Sequence, residues 1–320
     1  MRIWSRHPVA ASLLAALALA GLASMIPSYR LFIVGQLSVL IMVAVALSVL
    51  MGGAGLLSLS SAAFMAVGGY GTIILMQQPH LPWLLAVVAM VLVGAALGGL
   101  LGFVTLRLSG FYLAIATLGF LQVLLEFLRH GGALTGGAYG LVAPPLETPL
   151  LPDLSAETVS VIAVGTMVLT VAAAMTTMRS RIGRAWIALR DNEAAARMQG
   201  IDVPRMKVLA FAFTSGVTCL AGALHAFLLN GTNPSTYSMN LSVFHITLVV
   251  VGGMSGSILG AVAAPLILYF LPEMFTALGE WRDLFYGAIL LLTLVLMPSG
   301  ISAGLKWAQG RLATARIKRT

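Results

Sequence analysis

Charged residues are scarce in this 320-residue sequence, which has 18 Lys and Arg and 10 Asp and Glu, or 9% of the chain. Soluble domains carry about 25% charged residues and about 45–50% apolar ones. Hydrophobic residues make up 59% of this sequence, more than a soluble core of this size needs. The net charge of +8 lies in short basic segments between long apolar runs, which is typical of membrane-span flanks and not of a nucleic-acid surface. The composition therefore predicts a polytopic membrane protein.

Several chemical signatures are missing from the sequence. Cys219 is its single cysteine, which excludes an intrachain disulfide. No glycine directly precedes Lys207, Lys306 or Lys318, so the phosphate-binding G-x-x-x-x-G-K-[ST] loop does not occur. The sequence also lacks a His, Cys and Asp cluster with metal-ligand spacing. We therefore expect neither an enzyme nor a chain that hydrolyses ATP itself, and no bound cofactor.

Apolar runs long enough to cross about 30 Å of hydrocarbon recur along the chain. Windows of about 19 residues predict about ten spans, near 9–27, 31–51, 56–77, 83–106, 110–129, 157–178, 208–229, 241–255, 257–275 and 283–300. Glycines interrupt the pair at 241–275, so eight or nine spans are the alternative. The first run follows Arg2 and Arg6 as in a signal peptide, but its length favours an uncleaved span. The predicted fold is an all-α bundle of about ten (8–10) transmembrane helices.

Basic residues concentrate in three segments, the N-terminus, a loop at 179–207 (the basic loop) and a tail at 301–320. The basic loop contains Arg179, Arg181, Arg184, Arg190, Arg197, Arg205 and Lys207, and the tail contains Lys306, Arg311, Arg316, Lys318 and Arg319. The positive-inside bias places all three segments, and so both termini, in the cytoplasm. Segment 131–156, which has no Lys or Arg, then lies outside.

The basic loop has a helical pattern of its own. Residues 184–199 are rich in Ala, Leu, Arg and Glu, which favours a single helix, and Gly200 predicts its end. On such a helix Arg190, Glu193 and Arg197 share one face, and Glu193 precedes Arg197 by the four residues that suit an ion pair. A short amphipathic helix between spans lies on the membrane or docks into a groove of a partner. The alternative interpretation is a solvated basic loop.

Glu193-Ala194-Ala195 followed by Gly200 resembles the EAA-and-glycine loop of ABC importer permeases, although the glycine comes one residue later than in the commonest spacing. In that family the loop forms a coupling helix that fits a cleft in the ATPase subunit. The resemblance implies that ATPase coupling involves Arg184, Arg190, Glu193, Ala194, Ala195, Arg197 and Gly200.

Six segments, in order along the chain, carry a more specific likeness. They are Gly55-Leu56-Leu57-Ser58-Leu59, Tyr112–Phe120, Leu134–Gly137 with Tyr139-Gly140-Leu141, Ser180–Arg184, Val250–Gly253 and Met297–Gly300. Together they resemble the LivM-type permeases of branched-chain amino acid importers, from about residue 35 to 301. Ser60-Ser61 departs from the family's glycine followed by histidine or glutamine, and Gln122 and Phe244 stand where an acidic residue is expected. Because of these departures, the sequence does not determine the identity of the transported solute.

Small polar residues inside the predicted spans are the candidates for a translocation pathway. They are Ser58, Ser60, Ser61, Thr117, Gly119 and Gln122. Glycine-broken hydrophobic segments mark substrate paths in transporters, and the serines follow three glycines within residues 52–55. Close packing of helices through small residues is the competing explanation.

Ionisable residues within spans are costly and are therefore functional candidates as well. Glu126 and Arg129, three residues apart near one end of a predicted span, are interpreted as an interfacial ion pair. His225 and His245 lie within or near spans, and a lone histidine there more often packs and donates a hydrogen bond than binds a ligand.

The resemblance implies one transmembrane permease domain over 1–320 in the bacterial inner membrane. Such a subunit works with two ATPase subunits that bind ATP, a second permease and a periplasmic solute-binding protein. The implied solutes are branched-chain amino acids, with urea, amides or other small organic solutes as alternatives. The rival hypotheses are a stand-alone secondary transporter or channel, which needs embedded charges for ion coupling, and a structural subunit of a membrane complex.

Overall fold

The computed structural model describes residues 28–78, 81–108, 110–145, 156–253 and 257–274, without the side chains of 156 and 270–274. Its helices are α1 (Ser28–Leu47), which continues into a π-helical turn (Ser48–Gly53), α2 (Ser61–Gln77), α3 (Trp83–Val104), α4 (Phe111–His130), α5 (Ala156–Arg179), α6 (Arg181–Asp191), α7 (Glu193–Met198), α8 (Val203–Leu228), α9 (Met239–Gly252) and α10 (Ile258–Met274). Strands β1 (Leu141–Val142) and β2 (Gly231–Thr232) form an antiparallel pair, and 3₁₀ turns cover Gly137–Tyr139 and Pro234–Thr236. The predicted spans 9–27 and 283–300, the segment Met297–Gly300 and the basic tail lie outside the described residues.

The bounds of most predicted spans are confirmed to within a few residues. The predicted span 56–77 starts too early, because residues 55–60 are not helical and α2 begins at Ser61. Helix α8 starts earlier than predicted because Asp202 caps it, with its Oδ1 accepting a hydrogen bond from the Arg205 amide at 3.2 Å. The glycines that interrupt 241–275 separate α9 from α10.

Five of the described helices are long and apolar enough to cross a membrane, namely α1 with its π-helical turn, α3, α4, α5 and α8. Helix α2 and the segment Ile258–Tyr269 of α10 are apolar but shorter. The chain is thus an all-α polytopic membrane protein, and the full number of ten spans stays a prediction. Helices α1 and α8 are mostly buried inside the bundle, whereas α3, α4 and α5 expose apolar faces.

Glycines let α2 approach α8 until their backbones touch. A Cβ atom added to Gly68 would lie 1.9 Å from the carbonyl oxygen of Cys219, and one added to Gly222 would lie 2.0 Å from that of Met65. Both distances are far below van der Waals contact, so each helix needs glycine where it meets the other. Small residues at helix contacts are the usual means of close packing within membranes.

The two ends of the bundle differ in chemistry. Helices α6 and α7 of the basic loop lie at one end, where the Lys207 Nζ atom donates to the Leu106 carbonyl after α3 at 3.3 Å. The β1–β2 pair lies at the other end, and there the Gln77 side-chain amide donates to the Val142 carbonyl at 2.9 Å. We call these the basic end and the hairpin end.

Candidate functional site

A break between α1 and α2 holds most of the predicted pathway serines. After the π-helical turn, Gly55 adopts φ +72°, and the chain runs without helical structure to Ser60. Ser58 Oγ lies 2.8 Å from Ser60 Oγ, and both side chains are buried. The Leu59 amide donates to Thr117 Oγ1 at 2.9 Å. Helix α4 thus satisfies a backbone group that the break leaves without a helical partner, as an irregular segment inside a membrane protein requires.

The same polar cluster extends across to α9. Ser61 Oγ donates to Ser242 Oγ at 3.4 Å, and the Ala62 amide donates to Ser242 Oγ at 3.1 Å. His245 Nδ1 lies 3.1 Å from Ser61 Oγ, so the predicted packing role of His245 as a hydrogen-bonding residue is confirmed. Ser242 was not predicted. Its spacing of three residues from His245 places both on one face of an apolar helix, and this pattern was the available signal.

The remaining predicted pathway residues, Gly119 and Gln122, lie on the opposite face of α4. Both are exposed, and no described atom lies within 4 Å of a Cβ built on Gly119. Near the end of the same helix, Arg129 Nη1 donates to Glu126 Oε1 at 3.0 Å with both side chains exposed, which confirms the predicted ion pair. The structure therefore brings Thr117, but neither Gly119 nor Gln122, to the serine cluster.

The basic loop forms two helices, so the prediction of one continuous helix over 184–199 is wrong. Asn192 has an extended backbone (φ −162°, ψ 110°), and its Oδ1 accepts a hydrogen bond from the Ala195 amide at 3.0 Å. Asparagine is a favoured N-cap residue because its side chain replaces the missing helical acceptor. The cap ends α6 at Asp191 and starts α7 at Glu193.

Arg190 lies on α6 with Arg184, and the interruption at Asn192 separates it from the predicted coupling residues of α7. Its Nη1 atom donates to the Gly52 carbonyl of the π-helical turn at 2.6 Å, and its side chain contacts the Gly55 position, where a Cβ would lie 2.8 Å from Cγ of Arg190. The prediction that Arg190 shares a face with Glu193 and Arg197 is therefore wrong. Arg190 joins the basic loop to the break between α1 and α2.

Glu193 lies between two cations at the start of α7. Its Oε1 accepts from Arg197 Nη2 at 2.6 Å, which confirms the predicted ion pair, and its Oε2 lies 3.0 Å from Lys207 Nζ. Burial raises the pKa of the Glu193 carboxyl, but the hydrogen bonds and charges of Lys207 and Arg197 outweigh it and hold the pKa below its ordinary value. Only 6% of the Lys207 side chain is exposed. Lys207 was not predicted as a coupling residue, because sequence separation hides its contact with Glu193.

Helix α7 presents an exposed surface. Ala194, Ala195 and Arg197 are exposed, and Met198 is 92% exposed. Gly200 ends the helix as predicted, with φ +79° and with hydrogen bonds from the Gly200 amide to the Arg197 carbonyl at 3.0 Å and from the Ile201 amide to the Ala196 carbonyl at 3.1 Å. This pair of bonds is the Schellman arrangement, in which glycine adopts the left-handed position.

The other anchors of the basic loop are in α6. Trp186 is buried, and its Nε1 donates to the Met206 carbonyl in α8 at 2.9 Å. Gly183 is buried where α6 leaves α5, and a Cβ there would lie 2.3 Å from the Met178 carbonyl oxygen. Arg184, a predicted coupling residue, is exposed and donates to the Arg179 carbonyl at 3.1 Å. Helix α6 is thus packed onto the bundle, while one surface of α7 stays free.

Comparisons with known proteins identify one matching family and several similar permeases. A family model described as branched-chain amino acid transport system / permease component matches residues 29–294. The high-affinity branched-chain amino acid transport system permease protein LivM of Salmonella typhimurium is 30% identical over 82% of this chain and 67% of its own length. The autoinducer 2 import system permease protein LsrC of Enterobacter sp. is 30% identical over 64% of this chain and 60% of its own length. The ribose import permease protein RbsC of Escherichia coli is 32% identical over 38% of this chain and 39% of its own length.

The helices and the relatives together define a multi-pass permease of the bacterial inner membrane. The chain belongs to the family of branched-chain amino acid transport system permease components, and the predicted resemblance to LivM-type permeases is confirmed. The matched family and these relatives are described as transport permeases, and none is described as an enzyme. No solved structure matches the chain.

Proposed function

We propose that this chain is the membrane-spanning subunit of an ABC importer that moves branched-chain amino acids or a related small organic solute into the cytoplasm. The observation that carries the proposal is the exposed surface of α7, held to the bundle through Glu193 and Lys207. The family and the LivM relative support the solute class. Relatives named for autoinducer 2 and ribose are the reason for keeping urea, amides and other small solutes within it.

The exposed surface of α7 is the proposed docking site for an ATPase subunit. A short helix whose side chains Ala194, Ala195 and Met198 are free fits a groove on a partner, and Arg197 adds a cation for an acidic rim. In the assembly two ATPase subunits bind and hydrolyse ATP, so this chain needs no cofactor of its own. The basic end is then the cytoplasmic end, in agreement with the positive-inside bias.

Movement of α7 and α6 reaches the bundle through Arg190. Its guanidinium holds the Gly52 carbonyl, at the point where α1 stops being helical and the break begins. The break is held in turn by Thr117 of α4. A displacement at the basic loop therefore acts on α4 through two direct contacts, and we propose that this movement opens and closes the path.

The exposed face of α4 is the proposed boundary of the path. Gln122 lies near the middle of this helix and is exposed, and a polar side chain at that depth is unfavourable against lipid. A second permease subunit covering this face would shield Gln122 and leave the open space at Gly119 for solute. A solute-binding protein would deliver the solute to the hairpin end.

The test is affinity purification of the tagged chain from its native membranes in mild detergent, followed by mass spectrometry of the proteins that accompany it. We expect ATPase subunits, a second permease and a solute-binding protein with the wild type. The Glu193→Lys variant should no longer co-purify with the ATPases, because the substitution reverses the charge of the side chain that pairs with Arg197 and Lys207. Glu126→Lys is the matched control, since it makes the same charge change at an exposed ion pair near the C-terminal end of α4.

Two results would overturn the proposal. If the wild type purifies alone and still moves solute into vesicles without ATP, the chain is a stand-alone transporter or channel. If both variants keep the ATPases equally, α7 is not the docking site.

A further inference from the structure

A cavity of about 350 Å³ lies at the basic end, between the turn after α3, helix α7 and the start of α8. Its charged lining residues are Arg107, Glu193, Arg197 and Lys207, and its aliphatic ones are Leu106, Leu108, Val203 and Pro204. The volume lies within the roughly 300–1,000 Å³ of small-molecule sites. Among the described lining residues three cations face one carboxylate, so the cavity suits an anion that also has an apolar part.

Lys207 is the buried cation of this cavity, with only 6% of its side chain exposed. Its ammonium group carries three N–H donors, and two acceptors contact it, the Leu106 carbonyl at 3.3 Å and Glu193 Oε2 at 3.0 Å. The third donor has no partner within the described part of the chain. Buried polar groups are nearly always satisfied by protein, water or ligand, and an anion in the cavity supplies the missing acceptor.

Two guanidinium groups complete the positive lining. Arg107 lies in the turn after α3, is exposed, and makes no hydrogen bond or ion pair with any described residue. Arg197 is also exposed and is bonded to Glu193 through Nη2. A guanidinium presents a planar set of donors that matches the oxygens of a phosphate group. Together with Lys207, the cavity thus offers phosphate-binding donors from three separate elements.

The protein surface next to the turn after α3 is apolar. Phe103 and Val104, which end α3 and directly precede the turn, are both exposed, as is Leu100 one helical turn earlier. An exposed apolar face on a membrane-spanning helix indicates contact with hydrocarbon. Basic pockets at the cytoplasmic ends of transmembrane helices bind anionic lipid headgroups. The combination of cations, aliphatic lining and apolar flank therefore favours a lipid over a soluble anion.

We infer that this cavity binds the phosphate group of an anionic phospholipid whose acyl chains lie along the exposed end of α3. The phosphate oxygens accept hydrogen bonds from Lys207 and Arg107, and the aliphatic lining contacts the glycerol part. Through Arg197 the bound lipid also links the turn after α3 to α7, so it holds α7 more firmly in a membrane that contains it. The inference goes beyond the importer proposal, because it rests on the membrane location of the chain and needs no ATPase and no particular solute.

Native mass spectrometry of the full chain, purified in neutral detergent and titrated with lipid, tests the site. Phosphatidylglycerol is the anionic probe, phosphatidylcholine is the lipid whose phosphate charge is already compensated, and inorganic phosphate is the soluble competitor. Arg107→Gln removes a cation from the cavity. Arg181→Gln is the matched control, because Arg181 is an exposed residue of the basic loop that is absent from the described lining. Gel filtration checks that each variant is folded.

We expect the wild type to bind one phosphatidylglycerol molecule more tightly than phosphatidylcholine. Arg107→Gln should weaken this binding about fivefold, the usual effect of one cation next to an anionic lipid, and Arg181→Gln should leave it unchanged. Glu193→Gln should strengthen it, because the substitution removes the only carboxylate among the described lining residues. The two cavity variants therefore change the affinity in opposite directions, whereas a general loosening of the site would weaken binding in both.

Four results would overturn the inference. The first is equal binding of the two lipids, and the second is an equal effect of Arg107→Gln and Arg181→Gln. Displacement of the lipid by inorganic phosphate at equal concentration would assign the cavity to a soluble anion. Loss of the lipid whenever the ATPases are bound would show that an acidic segment of that partner fills the cavity. Recovery of the ATPases with the wild type is measured separately, so the importer proposal and the lipid proposal can fail independently.

Discussion

Replacing Glu193 by glutamine should loosen α7 from the bundle without changing the shape of the side chain. In the wild type the carboxylate accepts hydrogen bonds from Arg197 and from Lys207, whose side chain is only 6% exposed. Lys207 also donates to the Leu106 carbonyl. The substitution leaves the ammonium group of Lys207 with two neutral acceptors and no counter-charge.

The magnitude follows from three losses. Exchanging a charge-assisted hydrogen bond for a neutral one costs about 1 kcal/mol. A carboxylate in the first turn of a helix contributes about 0.3–1 kcal/mol, and the exposed ion pair with Arg197 about 0.3–0.5 kcal/mol. Because 35% of the Glu193 side chain is exposed, solvent screens the charges, and the larger values of fully buried ion pairs do not apply. The total of about 2 kcal/mol corresponds to roughly a 30-fold change in an opening equilibrium.

Hydrogen exchange of the intact complex, followed by mass spectrometry, measures this opening directly. We expect the α7 amides to exchange roughly 30-fold faster in Glu193→Gln than in the wild type, since local opening controls their protection. Glu126→Gln removes a carboxylate from an exposed pair and should leave α7 unchanged. A change in α7 of less than about twofold would refute the reasoning, because the ion pairs would then contribute almost nothing to its anchorage.

Three further predictions concern the same framework. The folded pKa of Glu193 is lowered, so the stability advantage of the wild type over Glu193→Gln should be complete above the ordinary carboxyl pKa of 4.5 and disappear as the pH falls below it. Thermal melts of both proteins from about pH 7 to about pH 3 measure this difference. A difference that stays constant over this range would contradict the prediction. Thr117→Val removes the acceptor of the partly buried Leu59 amide and should lower the unfolding free energy by about 1–3 kcal/mol. An unchanged denaturation midpoint would show that another group accepts this bond. Gly222→Leu places carbon atoms against the Met65 carbonyl and should prevent recovery of folded protein in gel filtration. Gly165→Leu is the control that should be tolerated, because no described atom lies within 4 Å of a Cβ added at Gly165.

The membrane class, most helix positions and the end of α7 at Gly200 could be predicted from the sequence. Long apolar runs have few stable alternatives to helix in a membrane, because every backbone group must be satisfied internally. The stop at Gly200 was predictable for a similar local reason, since glycine adopts the left-handed backbone that ends a helix. The Glu193–Arg197 pair needed only helical spacing.

The site was predictable only where chemistry is local. Ser58, Ser60 and Thr117 were predicted pathway candidates, and the structure brings them together, because a glycine-broken segment needs polar partners wherever it lies. Their role in a path stays a prediction. Ser242 joins the cluster from 180 residues further along the chain, and no sequence periodicity connects it to Ala62.

What the sequence by itself determined is therefore which segments are helical, which are buried in a membrane and which loop is basic, since each depends on composition and short-range spacing. The Asn192 cap that breaks the helix between Arg190 and Glu193 is local. Tertiary structure alone decided that Arg190 contacts the Gly52 carbonyl, 138 residues earlier in the chain. It also decided that Lys207 meets Glu193, because the fold of the basic loop returns α8 to the start of α7. Such contacts depend on where chain segments meet, and local propensity carries no information about that.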